Sequence, residues 1–482
     1  MNNERDFVTA ITKKSEDASR WYIDVIKRAE LADYSSMKGM MVIRPYGYEI
    51  WELIQGQLDR MFKETGHRNA YFPLFIPESF LQKEAAHVEG FAPEVAWVTV
   101  GGGEPLEERW AVRPTSEAII CSMYAKWVKS WRDLPLLYNQ WANVVRWEKV
   151  TRPFLRTTEF LWQEGHTVHA TEQEAEEETL RMLDVYRRFA EEYMAIPVLA
   201  GQKSESEKFA GAVRTYAIEA LMPDGKALQA GTSHFLGQNF AKAFGVRFES
   251  QAQTLEYAWQ TSWGVSTRLV GALIMTHGDD SGLILPPRLA PIQTVIVPIS
   301  AGNWQETILP KAVELRDQLR AAGIRVHLDD DDTNTPGWKY AEYEMRGVPV
   351  RLEIGPKDIQ KGSVVLVNRL NRQKTFVPWG ELVPRLTALL EEIQAELFAR
   401  AVKARAENTT QVGTLDELVA VLEEKRGLVR TGWCGRPECE KPAKERAAAT
   451  IRIIQGPACP ELPKCHCCGG ESRRTVLIAK SY

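Results

Sequence analysis

Hydrophobic and polar positions alternate with different periods along the chain. Between about residues 15 and 290, segments such as "YEIWELIQGQLDRMF" have apolar residues three and four apart, which predicts helices. Short apolar stretches punctuated by proline, such as "NAYFPLFIP", have a strand-like character. Thr171 followed by Glu174 predicts a capping box at the start of a surface helix. This part of the chain is predicted to mix helices with strands.

A regular alternation begins after Pro286, Pro287 and Pro291, which mark a linker. The apolar run "TVIVPI" predicts a strand, and "ETILPKAVELRDQLRAAG" predicts a helix. The runs "IRVHLDD", "VPVRLEIG" and "SVVLVN" predict further strands, and "ELVPRLTALLEEIQAELFARAV" predicts a long amphipathic helix. Strands that alternate with helices predict a small α/β domain with a largely parallel sheet.

The last segment, after about residue 410, opens with another capping-box helix, "TLDELVAVLEEK", and then becomes rich in cysteine. Six of the seven cysteines lie between Cys434 and Cys468. Four residues separate Cys434 from Cys439, and two separate Cys465 from Cys468. Two closely spaced pairs predict a structural, tetrahedral zinc site, with free thiols as the other interpretation. The remaining candidate ligands are Cys467, Cys459 and His466.

Composition and charge narrow the class of protein. The 482 residues are 44% hydrophobic and 26% charged, with a formal net charge of −4, as in soluble globular proteins of two or three domains. Such a chain binds a polyanion only through a local patch. The first 16 residues lack the apolar core of a secretory signal. No apolar run approaches the roughly 20 residues that span a bilayer, so we expect a cytoplasmic protein without a membrane segment.

Charged residues are concentrated among aromatic and apolar ones between residues 144 and 166. Read as a strand, "VVRWE" directs Arg146 and Glu148 to one face. A loop and the strand-like run "FLWQEGH" follow, which predicts an antiparallel hairpin with guanidinium groups over its tip. Arginine suits phosphate oxygens because it can make two parallel charge-assisted hydrogen bonds. A structural network of ion pairs is the other interpretation. The hairpin's further charged candidates are Arg152, Arg156, Glu164 and His166.

Two other segments place polar residues next to predicted helices. "AVRPTSEAII" sets Thr115, Ser116 and Glu117 between a proline and a helix. Their hydroxyls and carboxylate can receive the ammonium group of a small substrate or, equally well, cap the helix. "TSWGVSTRLVGALIMTHGDD" delivers Arg268 into an apolar helix, where an unpaired charge is costly, so it needs an anion or a carboxylate. The segment after this helix has candidate metal ligands at His277, Asp279 and Asp280, and a polar turn is the preferred interpretation.

The segment "ALQAGTSHFLGQNF" is rich in small residues that let a backbone approach a ligand. Gln229, Thr232 and His234 surround Gly231 there. A histidine in such a place can line a binding site, and a packed structural histidine is the other interpretation.

These segments, taken in order, resemble the motifs of a known family. The proline-bearing "GHRNAYFPLFIP", the arginine-x-glutamate hairpin and the arginine of "WGVSTR" look like motifs 1, 2 and 3 of class II aminoacyl-tRNA synthetases. The wording of "RPTSE", "VVRWE", "PFLRTTEFLWQEGH", "QAGTSH" and "THGDDSGLILPPRLAPIQ" is similar to that of prolyl-tRNA synthetases, of the type shared by archaea, the eukaryotic cytoplasm and some bacteria. The resemblance covers nearly the whole chain, and no P-loop motif is present.

The resemblance implies an α/β architecture in three parts. Residues 1–290 would form an α+β class II catalytic domain with an antiparallel sheet flanked by helices. Residues 291–405 would form a small α/β anticodon-binding domain, and residues 406–482 a C-terminal α/β zinc domain. In relatives the terminal tyrosine carboxylate lies close to the active site, which implies the same for Tyr482. Candidates for contact with unpaired bases and phosphates in the middle domain are Trp338, Lys339 and Arg351.

The resemblance also implies roles for single residues. Arg146 would contact the α-phosphate of ATP and the amino-acid carboxylate, and Arg268 the far phosphates, which makes this pair the catalytic candidates. Glu148 would read the adenine amino group. Thr115 and Glu117 would hold the imino nitrogen of proline, together with Arg146 at the carboxylate. The other implied residues are Gln229, Thr232 and Ser266 for ATP, His234 for proline, and Arg156, Glu164, His166 and Phe209 as pocket walls or loop contacts.

The implied function is ATP-dependent attachment of L-proline to tRNA(Pro) through a prolyl-adenylate. Mg²⁺ would accompany ATP, Zn²⁺ would be structural, and motif 1 would form a homodimer. About a hundred residues separate "RWE" from "WGVSTR", so we predict no cis-editing domain. Two other classes are a synthetase-like protein that only binds tRNA, and an ATP-dependent ligase for a free small molecule. The first would show damaged arginine motifs, and the second would lack an anticodon module.

Overall fold

A computed structural model describes residues 11–87, 94–299 and 302–482 of the chain. Residues 1–10, which belong to the segment predicted to lack a secretory signal, lie outside the described residues. Among the residues that are described, no helix is both long enough and apolar enough to cross a bilayer.

Strands and helices alternate through most of the described chain. The strands are β1 Ala32–Tyr34, β2 Met41–Ile43, β3 Arg68–Asn69, β4 Phe75–Pro77, β5 Trp97–Gly101, β6 Glu104–Val112, β7 Leu136–Val145, β8 Glu159–His169, β9 Val198–Gln202, β10 Arg214–Leu221, β11 Ala227–Gly237, β12 Arg247–Glu249, β13 Leu255–Tyr257, β14 Trp259–Ser266, β15 Thr294–Pro298, β16 Val326–Leu328, β17 Val350–Ile354, β18 Ser363–Asn368, β19 Lys374–Pro378, β20 Thr409–Gln411, β21 Leu428–Trp433, β22 Thr450–Pro457 and β23 Arg474–Ala479. The α-helices are α1 Ala18–Arg28, α2 Pro45–Glu64, α3 Glu78–His87, α4 Glu117–Trp127, α5 Glu172–Glu192, α6 Asn239–Phe244, α7 Arg268–His277, α8 Trp304–Thr307, α9 Leu309–Ala321, α10 Pro336–Met345, α11 Pro356–Lys361, α12 Leu382–Glu407, α13 Leu415–Glu424 and α14 Lys441–Ala447.

Helix α5 begins where its sequence predicts. The Thr171 hydroxyl accepts a hydrogen bond from the Glu174 N–H at 3.2 Å, and the Glu174 carboxylate accepts one from the Thr171 N–H at 3.3 Å, which confirms the capping box. Its buried apolar residues are spaced three and four positions apart and belong to the main core; they include Met182, Tyr186 and Phe189. This apolar stripe packs the helix against the strands that carry the candidate site, including β11 and β14.

The largest sheet holds eleven strands of the described chain, in the order β20-β21-β23-β22-β9-β10-β11-β14-β8-β7-β3. Neighbouring strands pair antiparallel except β20 with β21 and β3 with β7. The antiparallel sheet flanked by helices is thereby confirmed.

The hairpin β7–β8 is antiparallel as predicted, but its first strand is shorter than the run "VVRWE" suggests. Strand β7 ends at Val145, so Arg146 and Glu148 lie in the loop and not on a strand face. Because β8 begins at Glu159, opposite Val145, no regular ladder continues beyond that pair. Beyond it, the Arg146 N–H donates to the Thr158 carbonyl at 2.8 Å, and Arg152 and Arg156 form an isolated antiparallel bridge.

The second large sheet has the order β16-β15-β17-β18-β19. Strands β16, β15 and β17 run parallel, whereas β18 and β19 pair antiparallel, so the sheet is mixed and not largely parallel as predicted. A parallel crossover needs a dozen or more residues. The connection from β17 to β18 spans only residues 355–362 and ends at Gly362 with a φ of +65°, which reverses the chain.

Side chains of the middle domain that are predicted to meet RNA lie in different surroundings. Lys339 is buried, and its ammonium nitrogen lies 2.8 Å from the Asp329 carboxylate. Its charge is neutralised within the domain, so the prediction of a phosphate contact is wrong for this residue. Arg351 lies over the Tyr340 ring at 3.9 Å, and its guanidinium pairs with the Glu353 carboxylate at 2.9 Å, so its charge is also neutralised within the domain. The half-buried Trp338 stays a candidate for stacking on a base.

The polar turn after α7 joins the first two parts of the chain. The Asp279 carboxylate accepts two hydrogen bonds from the Arg369 guanidinium, at 2.7 and 2.9 Å. The Nε2 atom of His277 lies 2.8 Å from the Met194 carbonyl oxygen. These residues are thus structural partners of protein groups, in line with the preferred interpretation as a polar turn.

The C-terminal strands continue the main sheet and do not form a separate one. Strand β22 meets β9 at the pair Ile454 and Gln202. Farther along the chain, the Tyr482 N–H donates to the Ala227 carbonyl at 3.3 Å, and its hydroxyl donates to Asp224 at 2.6 Å. The last described residue therefore lies beside the start of β11, the strand that carries Gln229. The divisions at residues 290 and 405 stay predictions.

Candidate active site

A cavity of about 530 Å³ opens between the N-terminus of α4, strands β8, β11 and β14, and the first turn of α7. A second cavity of about 370 Å³ adjoins it and shares Arg146. The first cavity is lined by the predicted residues Thr115, Glu117, Arg146, Glu164, His166, Phe209, Gln229, Thr232, His234, Ser266 and Arg268. The second is lined by Arg146, Glu148 and Arg156. The structure thus brings to one region every residue to which the resemblance assigns a role at ATP, at proline or as a pocket wall.

Arg146 is oriented by the protein before any ligand is present. Its Nε donates to the Pro114 carbonyl at 3.0 Å, and its guanidinium lies 5.5 Å from the ring centroids of both Phe160 and Trp162. The side chain is exposed to the cavity and enclosed by protein elsewhere. This enclosure lowers the pKa of its guanidinium, and the charges of Glu117 and other carboxylates partly offset the effect.

Arg268 reaches the same cavity from the first residue of α7. Its Nε donates to the Leu155 carbonyl at 3.0 Å, and a terminal nitrogen donates to the Gln229 carbonyl at 3.3 Å. Burial lowers the pKa of the Arg268 guanidinium, and the nearby charge of Arg146 lowers it further. Two guanidinium groups that converge on one cavity and bond to neutral carbonyls favour an anion between them.

Carboxylates and hydroxyls line the same cavity as the two arginines. Thr115 donates to the Glu117 carboxylate, and Ser116 donates to the Glu164 carboxylate. Gln140 donates to the same Glu164 oxygen at 2.9 Å. Ser116 occupies the N-cap position of α4 but makes no capping hydrogen bond with its side chain. The hydroxyls of Thr115 and Ser116 therefore donate hydrogen bonds to the buried carboxylates and do not cap the helix.

His166 and Glu164 form a buried pair, with His166 Nε2 at 3.0 Å from Glu164 Oε2. Burial alone would lower the pKa of His166, but the hydrogen bond and charge of Glu164 outweigh it and raise the pKa above 6.5. Burial acts to raise the pKa of Glu164, but His166, Ser116 and Gln140 bring it below 4.5. Both shifts favour the charged form of the pair, which places a cation beside the carboxylates.

Replacing His166 with glutamine is expected to lower the free energy of unfolding most between pH 4.5 and 6.5. The raised pKa of His166 makes its stabilisation complete below 6.5 and lost as the pH rises through the folded value. The lowered pKa of Glu164 makes its share complete above 4.5 and lost as the pH falls. Urea denaturation should show a loss of about 2 kcal/mol within that window and less at alkaline pH. Equal losses at both would contradict a charge effect.

His234 lies at the wall of the cavity and stays neutral. Its Nδ1 lies 3.0 Å from the Thr215 hydroxyl, and its ring centroid lies 4.7 Å from that of Phe209. Burial, together with the charges of His166 and Arg146, lowers the pKa of His234 to about 3. His234 is thus packed against protein groups and also lines the cavity, so the two interpretations, a structural histidine and a residue of the binding site, both apply.

Glu148 and Arg156 form an ion pair at the mouth of the second cavity. The Glu148 carboxylate accepts a hydrogen bond from Arg156 Nε at 2.7 Å. Both side chains face solvent in part, with 22% of Glu148 and 56% of Arg156 exposed, so a ligand can compete for either.

Two aromatic residues of the cavity were not predicted. Phe160 and Trp162 lie on β8 and flank the guanidinium of Arg146. They precede Glu164 at intervals of two, and alternate residues of a strand share a face. This alternation is the signal that could have found them. Further lining residues that the sequence did not single out are Glu207, Lys208, Thr215, Ser262 and Trp263.

Comparison with known proteins places the chain in a family. Residues 97–277 match the family described as "tRNA synthetase class II core domain (G, H, P, S and T)". Over 482 residues the chain is 58% identical to the "Proline--tRNA ligase" of Natranaerobius thermophilus, covering 100% of this chain and 99% of that protein. The chain belongs to the prolyl-tRNA synthetase family. It is also 57% identical to the "Proline--tRNA ligase" of Symbiobacterium thermophilum, with 100% of both chains covered, and 53% identical to the "Proline--tRNA ligase 2" of Bacillus cereus, with 99% of this chain and 100% of that protein covered.

Two further matches fall on the other parts of this prolyl-tRNA synthetase. Residues 293–389, which include the five-stranded sheet, match "Anticodon binding domain". Residues 415–482, which include the cysteine cluster, match "Prolyl-tRNA synthetase, C-terminal". The class II core match at residues 97–277 contains all thirteen predicted residues of the two cavities. The resemblance inferred from the motifs is confirmed.

The cysteine cluster of this family member has the geometry of a zinc site. The sulfur atoms of Cys434, Cys439, Cys465 and Cys468 all lie within 4.8 Å of one another. Tetrahedral zinc with bonds of about 2.3 Å requires sulfur atoms about 3.8 Å apart, and Cys468 and Cys434 are 4.0 Å apart. Arg436 donates to the Cys434 sulfur at 3.4 Å, which offsets the negative charge of four thiolates. The four residues therefore fit the metal.

Proposed function

We propose that the chain attaches L-proline to tRNA(Pro) with ATP, through a prolyl-adenylate. The observation that supports this most strongly is the convergence of Arg146 and Arg268 on one cavity that Glu117 and Glu164 also line. The guanidinium groups favour the phosphates of ATP and the carboxylate of an amino acid. The carboxylates favour the positively charged nitrogen of that amino acid.

Within this proposal each residue of the cavity has a role. Arg146 binds the α-phosphate and the proline carboxylate, and Arg268 binds the far phosphates. Thr115 and Glu117 hold the imino nitrogen, and Glu148 exchanges Arg156 for the adenine amino group. The remaining residues are Gln229, Thr232 and Ser266 beside ATP, His234 and Phe209 beside the proline ring, and Glu164, His166 and Arg156 as walls.

The chemistry needs no nucleophile from the protein. The proline carboxylate attacks the α-phosphorus in line and pyrophosphate leaves, so the barrier is mainly electrostatic and orientational. Arg146 and Arg268 neutralise the charge that two approaching anions bring together. Class II synthetases use ATP with Mg²⁺, and here Mg²⁺ would share the charge of the phosphates. His234 has its pKa lowered to about 3 and is a poor base for the transfer to tRNA. We assign the proton of the tRNA hydroxyl to an α-phosphate oxygen, which becomes more basic as the bond to the prolyl carbonyl breaks and AMP leaves.

The test of this function has two stages. The purified chain should catalyse ATP–pyrophosphate exchange that depends on proline, and should then charge tRNA that carries a proline anticodon. A protein that only binds tRNA would give no exchange. A ligase for a free small molecule would give exchange without charging of tRNA.

We also propose that the middle domain binds the anticodon of tRNA(Pro) and that charging takes place in the cytoplasm.

The chain between Arg146 and Arg268 is taken up by strands β8 to β14 and helices α5 and α6, which build the cavity and its support. This supports the absence of a cis-editing domain between motifs 2 and 3.

A structural Zn²⁺ in the four-cysteine cluster is part of the proposal. Cys465→Ser should lower the zinc content, measured by atomic emission on the purified chain, from about one per chain to near none, because it removes a buried ligand of a tetrahedral site. Cys459→Ser is the matched control, since Cys459 lies outside the cluster. Zinc loss in both variants, or in neither, would contradict the assignment.

We further propose a homodimer formed through motif 1. Phe75 on β4 and Trp110 on β6 are exposed and lie 5.9 Å apart between ring centroids, and Tyr71 nearby in sequence is 72% exposed. Exposed aromatic residues that cluster on a sheet are typical of an interface. Trp110→Glu should halve the mass measured by light scattering, because a charge would be buried at the contact. Phe376→Glu, on the distant strand β19, should leave the mass unchanged.

A further inference from the structure

The loop between β9 and β10, residues 203–213, forms one wall of the cavity. The Lys203 N–H donates to the Thr215 carbonyl at 2.8 Å, so the loop leaves and rejoins the sheet at one place. In the second half of the loop, the ring of Phe209 packs against the ring of His234. The position of this wall therefore depends on what holds the loop between its two ends. Its residues at the cavity are Glu207, Lys208, Phe209 and Ala210.

The start of the loop is held by Glu440, which directly follows Cys439 of the cysteine cluster. The Ser204 hydroxyl donates to Glu440 Oε1 at 2.6 Å. Ser204 is 1% exposed and Glu440 is 5% exposed. A buried carboxylate is costly unless it is hydrogen-bonded, so this contact fixes the relative position of the loop and the cysteine cluster.

The middle of the loop is held by Arg452 on strand β22. One of its terminal nitrogens donates to Glu207 at 3.2 Å, and the other donates to Glu219 on β10 at 2.8 Å. Lys203 donates to the same Glu219 oxygen at 2.8 Å and to the Arg452 carbonyl at 3.1 Å. Two cations face two carboxylates, and Lys203, Glu219 and Arg452 are buried. Such a cluster resists displacement because a broken pair leaves a buried charge without its partner.

We propose that the C-terminal segment positions this loop through Glu440 and Arg452, and thereby sets the affinity of the cavity for the amino acid. Phe209 follows Glu207 by two residues and packs on His234, which the proposed function places beside the proline ring. The inference rests on the proposed function, because that function assigns Phe209 and His234 to proline. Neither Glu440 nor Arg452 is among the residues that line the cavity, so they are positioning residues.

The test uses the full chain with Glu440→Ala and Glu440→Gln. In proline-dependent exchange, Glu440→Ala should raise the KM for proline about tenfold, the equivalent of one lost hydrogen bond, and leave the KM for ATP nearly unchanged. Glu440→Gln keeps an accepting oxygen for Ser204 and should restore most of the affinity. Glu438→Ala, at an exposed glutamate of the same turn, is the matched control. Zinc content should stay constant in all three variants.

Two further measurements separate positioning from general damage. Amide hydrogen exchange across residues 204–213 should be faster in Glu440→Ala than in the Glu438→Ala control. Arg452→Lys keeps the charge but loses the fork between Glu207 and Glu219, and should also raise the KM for proline. An unchanged KM for proline, or equal increases for proline and ATP, would overturn the inference while exchange persists. If the wild type shows no exchange with proline, the proposed function itself fails.

Discussion

Replacing Arg146 with methionine is expected to lower the kcat of proline-dependent ATP–pyrophosphate exchange by about a hundredfold to a thousandfold, because one preorganised donor to developing negative charge is worth about 3 kcal/mol. The bond from Nε to the Pro114 carbonyl holds the guanidinium in place and leaves its other nitrogens for the phosphate. The measurement is the exchange rate at saturating proline and ATP.

Arg146→Lys should lose nearly as much, because an ammonium lacks the planar fork that bonds to Pro114 and at the same time presents two parallel donors to an anion. The matched control is Arg400→Met, which removes an exposed ion pair with Glu396 on helix α12. Near wild-type exchange in Arg146→Lys would mean that only charge matters at this position. Near wild-type exchange in Arg146→Met would contradict the role proposed for it.

Replacing Glu117 with glutamine is expected to lower kcat/KM for proline by about a hundredfold to a thousandfold, since loss of a buried charge partner costs 2–5 kcal/mol, roughly. Glu117 is 4% exposed and accepts a hydrogen bond from Thr115, so its carboxylate is fixed at the cavity. An amide keeps that hydrogen bond but cannot neutralise the imino nitrogen of proline.

The loss in Glu117→Gln should lie mainly in the KM for proline, with the KM for ATP nearly unchanged. Glu391→Gln, at the exposed partner of Arg288, is the matched control. Equal increases in both KM values would indicate that Glu117 supports the whole cavity and not the amino acid alone.

Local features of the fold are the ones that the sequence predicts well. The capping boxes at Thr171 and Thr414 are both present, because each depends only on a residue and its neighbour three positions on. The hairpin β7–β8 is also present. The end of β7 was predicted wrongly, because the alternation of "VVRWE" continues where the partner strand no longer does.

Features that depend on distant partners could not be predicted from pattern. Strand β18 runs antiparallel to β17 because the connection between them is too short for a parallel crossover. The pattern of apolar residues does not reveal this. Lys339 reads as a surface lysine, yet it is buried against Asp329, ten residues earlier. The cluster of Arg452 with Glu207 and Glu219 joins residues more than two hundred positions apart, and no local signal marks it.

The candidate cavity was predicted through resemblance more than through chemistry. Arginine, glutamate and hydroxyl side chains at these spacings have structural interpretations as well, and the pair Glu148–Arg156 fits one of them. The order of several motifs along the chain decides between the interpretations, and the structure then places the motif residues around two adjoining cavities. Phe160 and Trp162 carry no charge, and only their alternation with Glu164 along β8 places them on the cavity face.

The continuity of the main sheet has a consequence for synthesis on the ribosome. One edge of β9 pairs with β22. Strand β9 ends at Gln202, and β22 begins at Thr450, nearly 250 residues later in the chain. A nascent chain that already contains the catalytic strands therefore exposes an unpaired edge for the time needed to translate the rest. Open edges invite pairing with other chains, so this edge is a place where the growing polypeptide can aggregate until β22 emerges.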